Sequence, residues 1–168
     1  ELGEKGMDAE GFSGLDGRTS IFDYWSMASV RQWLKGKLPA EQQALREKYV
    51  RLLSIAFSEP AITQGAFHDL MYANVGHPNF NSSAVYAFLR KYEKELILVA
   101  INFDDREHSV DIRIPDRAFA DMDIPDNAVA HVADLFTGDT LIATLTSAGP
   151  FRLSLPAQFG KVLKFVYL

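Results

Sequence analysis

The sequence predicts an α+β fold, with loops and helices up to residue 81 and an antiparallel β-sandwich from residue 82 to 168. Three observations carry that reading. The spacing of apolar residues changes near Asn81 from helical to alternating. Val110, Ile112 and Ile114 alternate with Ser109, Asp111 and Arg113, the pattern of a strand with one wet face. Turn residues separate seven short apolar runs, which suits a sandwich. Helices first and strands afterwards imply two modules, 1–81 and 82–168.

Taken in order, the chain opens with Gly3, Gly6, Gly11, Gly14 and Gly17 among charged residues, which predicts a long loop. Loops of that length are uncommon unless they line a site. A short helix follows, capped by Ser26, with Val30, Trp33 and Leu34 on one face and Gly36 to end it. The strongest helix begins at Pro39, places Leu45, Tyr49, Leu52, Leu53 and Ala56 on one stripe, and stops before Pro60. Phe67 to Met71 suggests a helical turn or short helix. The strands are expected at 82–92, Leu96 to Phe103, Glu107 to Ile114, Ala128 to Phe136, Leu141 to Leu145, Phe151 to Leu155 and Val162 to Leu168. Leu96 to Phe103 is apolar on both faces and so should be central. Pro115 to Pro125 is expected as a polar connection, and Thr137-Gly138-Asp139 as the clearest hairpin turn.

The composition narrows the function. A net charge of -5 repels phosphate backbones and anionic lipid surfaces, so no nucleic acid or membrane partner is expected. The longest wholly apolar run, Leu96 to Ile101, is far short of the roughly 20 residues of a membrane-spanning helix. Without cysteine there is no thiolate nucleophile and no disulfide framework. His68, His77, His108 and His131 lack zinc-ligand spacing. Asp121, Asp123 and Asp126 lack the glycine and closing glutamate of a calcium loop. The glycine-rich start has no Gly-Lys-Ser/Thr ending for a phosphate, and no Gly-x-Ser-x-Gly elbow occurs. The chain reads as cut from a longer protein, so its compartment is left open.

Three stretches carry a family resemblance: Glu1-Leu2-Gly3-Glu4 running into Gly14-Leu15-Asp16-Gly17-Arg18-Thr19-Ser20-Ile21-Phe22-Asp23-Tyr24-Trp25; Glu59-Pro60-Ala61-Ile62-Thr63-Gln64-Gly65; and the paired runs from Ser82 to Asp104. In order and spacing they resemble the C-terminal part of an α-amylase-family glycoside hydrolase. The resemblance implies a short helical remnant of a (β/α)8 barrel followed by the family's C-terminal sandwich. The parent's catalytic carboxylates would lie upstream, so this chain has no catalytic residue, and its sandwich would stabilise the barrel. A retaining glycosidase needs two carboxyl groups about 5 to 5.5 Å apart on a rigid scaffold. Glu1 and Glu4 offer no such scaffold.

The loop after the last barrel strand faces the catalytic side. Asp16, Arg18, Asp23 and Trp25 are therefore the candidate substrate-binding residues. Arg18 between carboxylates suits either sugar hydroxyls or ion pairs that fix the loop, and Trp25 either stacks on sugar or anchors the loop. No cofactor is expected in this chain, while the resemblance admits calcium in the parent. The implied partners are an α-glucan, such as starch or a maltooligosaccharide, and the missing part of the barrel. Self-association through the stripe of the second helix is also expected. An alternative reading is a non-catalytic carbohydrate-binding module that uses Tyr86, Tyr92 and Tyr167.

Overall fold

The computed structural model describes residues 28–167. The chain divides into two compact units, Glu1–Ser54 and Ile55–Leu168. In the first, α1 (Ala28–Leu34) closes at Gly36, whose φ of 65° is the left-handed conformation that glycine adopts freely. The predicted cap Ser26 lies outside the described residues. The second helix, α2 (Ala40–Ser58), starts one residue after Pro39, whose carbonyl accepts a bond from the Gln43 amide at 2.9 Å. No helix among the described residues is long and apolar enough to cross a membrane.

In the second unit, α3 (Pro60–Thr63) has its proline at the first helical position, where a missing N–H costs nothing. Next come β1 (Ala66–Asp69) and α4 (Met71–Asn74). The expected helical turn over Phe67 to Met71 is thus corrected. Phe67 to Asp69 pair with β2, Phe67 opposite Arg90, and only Met71, the last residue of the run, is helical. The strands that follow are β2 (Val85–Tyr92), β3 (Glu95–Asn102), β4 (His108–Ile112), β5 (Ala128–Asp134), β6 (Thr140–Leu145), β7 (Phe151–Leu155) and β8 (Phe159–Tyr167). A short helix, α5 (Asp116–Asp121), occupies what the sequence suggested was an irregular connection. Ala118, Phe119 and Met122 give it a buried face.

All neighbouring strands run antiparallel. One sheet has the order β1-β2-β3-β8-β5-β6, and β4 and β7 form a second. The sandwich is therefore uneven. Val85, Ala87 and Leu89 of β2 and Leu96, Leu98 and Ala100 of β3 face the main core with Leu163 and Phe165 of β8. Val110, Ile112, Leu153 and Leu155 of the small sheet close it. The alternate residues of β3, Ile97 and Val99, enter a second cluster on the opposite face with Ile55, Ala61 and Val162. Burial on both faces makes β3 central, as its composition predicted. Thr137 and Asp139 hydrogen-bond each other across Gly138, whose φ is 83°, at the expected β5–β6 turn.

One expectation on β4 fails. Asp111, placed on the wet face by alternation, is buried. Arg152, its partner on β7, reaches it with Nε at 2.6 Å and Nη2 at 3.0 Å, and Asn79 Nδ2 adds a bond at 2.9 Å.

Candidate functional site

The face of the large sheet away from the main core holds a set of charges on apolar strands. Lys164 lies opposite Ile97 in the β3–β8 register, between the core residues Leu163 and Phe165. Its Nζ bonds Glu59 Oε2 at 2.6 Å and stands 3.3 Å from Glu95 Oε2. Burial works to lower the Lys164 pKa, but the bond and charge of Glu59, joined by Glu95, outweigh it and hold the ammonium above the usual lysine value. The other Glu95 oxygen accepts the Ala61 amide at 3.0 Å. Arg90 of β2 completes the set, donating from Nε to the Ala61 carbonyl at 3.0 Å and from Nη2 to the Ile62 carbonyl at 2.7 Å. Helix ends leave carbonyls without intrahelical partners. Arg90 supplies those partners, so α3 is tied to the sheet through its backbone at Ala61 and Ile62.

Beside this joint lies an aromatic row. Phe67 and Phe88 have ring centroids 5.4 Å apart, and Tyr86 and Phe88 5.8 Å apart. Phe67 is half exposed, and Phe57 at the end of α2 is 82% exposed. Cations hold the carboxylates in place, so the arrangement suits attachment and orientation of neighbouring structure.

At one end of the same unit, Lys91, Glu93 and Lys94 of the β2–β3 hairpin, Asp123, Pro125, Val166 and Tyr167 enclose a recess of about 350 Å³. The Tyr167 ring packs on the main core, and its hydroxyl is buried with no hydrogen-bond partner among the described residues. Burial pushes its pKa well above the usual tyrosine value. In the other unit, Trp33, Gly36, Leu38, Gln43, Arg46 and Glu47 line a smaller recess of about 270 Å³, with the Arg46 guanidinium 5.1 Å from the centre of the Trp33 ring.

The candidate substrate residues Asp16, Arg18, Asp23 and Trp25 lie outside the described residues, as do Glu1, Glu4 and Tyr24. Of the tyrosines considered for sugar binding, Tyr86 and Tyr92 are half buried, Tyr86 against Phe88 and Tyr92 against the second cluster. Tyr167 alone among these three lines either recess. His108 Nε2 lies 2.8 Å from Asp104 Oδ2, and His68 Nε2 lies 3.1 Å from the Tyr72 hydroxyl. Among the described residues no group of three or more histidines and carboxylates is placed to hold a metal ion. The joint itself went unnoticed in the sequence, although Arg90 and Lys164 within apolar strands were its available signal.

No protein-family model and no curated protein matches the chain. Solved structures do. AmyP in complex with maltose superposes with a TM-score of 0.54 at 17% identity, over 76% of this chain and 21% of AmyP. The chain has the fold of a segment of an α-amylase. A maltotriose complex of an AmyP variant gives a TM-score of 0.53 at 16% identity, over 76% of this chain and 22% of that one. The noncanonic maltogenic α-amylase AmyB from Thermotoga neapolitana gives 0.50 at 16% identity, over 69% and 24%. The chain thus spans about a fifth to a quarter of the length of these amylase structures. The resemblance seen in the sequence extends to this amylase-like fold.

Proposed function

We propose that this chain is the C-terminal part of a glycoside hydrolase acting on α-glucans, without catalytic activity of its own. In this reading the part of the chain before the sandwich supplies the terminal loop and helices of a (β/α)8 barrel, and the sandwich, whose large sheet β1 joins at its edge, follows it. The sandwich covers and stabilises the end of that barrel. The observation that carries the reading is the joint of Glu59, Lys164, Glu95 and Arg90, which fixes the segment leading into the sandwich on the face of the large sheet. The half-exposed Phe67 and the exposed Phe57 lie in the same unit and provide apolar surface for the rest of the parent. Asp16, Arg18, Asp23 and Trp25 would then stand on the substrate side of the barrel, and any calcium would belong to the parent.

The test joins the chain to its natural upstream coding sequence. The joined protein is expected to release reducing sugar from starch, and the chain alone is expected to release none. Hydrolysis by the chain alone, abolished by an active-site inhibitor, would overturn the non-catalytic role. An upstream sequence encoding an unrelated domain would overturn the hydrolase reading.

A further inference from the structure

We propose that the free edge of β6 pairs antiparallel with the β6 of a second copy of this chain, across a twofold axis at Ile142. Strand β6 ends the large sheet, and among the described residues no strand lies beyond it. The Asp134 amide donates to the Asp139 carbonyl at 2.9 Å, which marks these two as a pair that exchanges backbone bonds. Bonded and non-bonded pairs alternate along an antiparallel ladder. Leu141, Ala143 and Leu145 therefore bond inward, in register with Val132, Ala130 and Ala128 of β5. The amides and carbonyls of Thr140, Ile142 and Thr144 point outward, a template that a further strand completes.

Proteins usually guard such an edge with a charge, a proline or a bulge. The other edge strands each carry a charge: Asp69 on β1, Asp111 on β4 and Arg152 on β7. The β6 sequence, Thr-Leu-Ile-Ala-Thr-Leu, has no charge and no proline, and its register with β5 runs without a bulge. It is also complementary to itself, which singles out a second copy as the occupant. With Ile142 opposite its own counterpart, Thr140 meets Thr144 of the second copy, and every outward amide and carbonyl finds a partner. On the core face Leu141, 49% exposed, comes to lie beside the small Ala143 of the second copy. On the other face Ile142, 64% exposed, stands in register with His131 and Val166, and the axis doubles that row. No like charges meet, because Asp139 falls opposite Leu145 of the second copy. A twofold contact of this kind uses the same patch on both copies and closes at the dimer.

The experiment uses the whole chain carrying Leu52→Lys and Leu53→Lys, so that the apolar stripe of α2 does not bring copies together. Amide hydrogen exchange is followed by NMR as the concentration is raised to about 1 mM, the range of a weak contact. Exchange is expected to slow about threefold at Thr140, Ile142 and Thr144 and to stay unchanged at Leu141 and Ala143. The chain has no cysteine, so single introduced thiols report the register. Residues that exchange backbone bonds across a ladder have Cα atoms about 5.5 Å apart, within reach of a disulfide. Ile142→Cys is expected to cross-link under mild oxidation about tenfold faster than Thr140→Cys, whose counterpart would lie roughly 13 Å away along the strand. Both positions are exposed, so neither change disturbs the core. Exchange that ignores concentration, or that slows as much at Leu141 and Ala143, would overturn the pairing. Slowing at the outward amides with the two thiols reacting alike would overturn the axis at Ile142.

Discussion

At the scale of single residues, Asp111 is the most informative side chain. Hydrogen bonds from Arg152 and then Asn79 outweigh the cost of burial and hold its pKa down to about 2, against an ordinary 3.8. A carboxyl group whose pKa is lower in the folded than in the unfolded chain stabilises the fold above its unfolded value. That contribution is therefore complete above about pH 4 and lost as pH falls toward 2. Asp111→Asn is expected to lower stability at neutral pH and to flatten the loss of stability across that window, as read by circular dichroism. An acid limb as steep as that of the unchanged chain would refute the role. Alternation alone could not reveal this residue. A period of two separates the faces of a strand, but it does not see Arg152 across the sheet or Asn79 from the loop between α4 and β2. Asn74 was equally illegible: its amide bonds the Leu70 and Arg113 carbonyls and the Arg113 amide, partners up to 39 residues away.

At the scale of elements, legibility tracks length and apolar content. All seven expected strands formed, because each carries several apolar residues at a spacing of two. Strand β1, with only four residues, owes its conformation to β2 beside it, and α5 owes its own to the core beneath Ala118 and Phe119. Gly65, between α3 and β1, shows how tight the first junction is. A Cβ there would lie 2.3 Å from the Ala61 oxygen and 2.8 Å from the Lys91 oxygen, both backbone atoms. Gly65→Ala is expected to cost about 1 to 3 kcal/mol or more, the usual cost of overpacking. Gly76, with a φ of 81° and open space around it, should cost only about 1 to 2 kcal/mol, the strain of a left-handed alanine. Urea denaturation of the two variants checks the order, and a Gly65→Ala midpoint above that of Gly76→Ala would contradict it.

At the scale of the whole molecule, the exposed surface of α2 dominates. Leu45, Tyr49, Leu52 and Leu53 are between 37% and 49% exposed, and Ile55 is its one buried residue. Covering a side chain of this kind fully is worth about 1.5 to 3 kcal/mol. The isolated chain is therefore expected to self-associate, its mass by light scattering rising with concentration, and a Leu52→Lys, Leu53→Lys double variant should suppress the rise. A constant monomer mass for the unchanged chain would count against it. How much of the candidate site was legible also becomes clear at this scale. The substrate residues proposed near the start fall outside the described region, while the joint and the recess each combine residues far apart in sequence. Lys164 and Glu59 are 105 positions apart. The sheet order has a consequence in time. Strand β8 sits between β3 and β5, and it is the last of the eight to leave the ribosome. Until it is made, the large sheet exists only as a β1-β2-β3 meander and a β5-β6 hairpin with nothing between them. Leu96, Leu98 and Val132 then wait without the Leu163 and Phe165 that bury them. The nascent chain passes its most adhesive interval between the synthesis of β3 and that of β8.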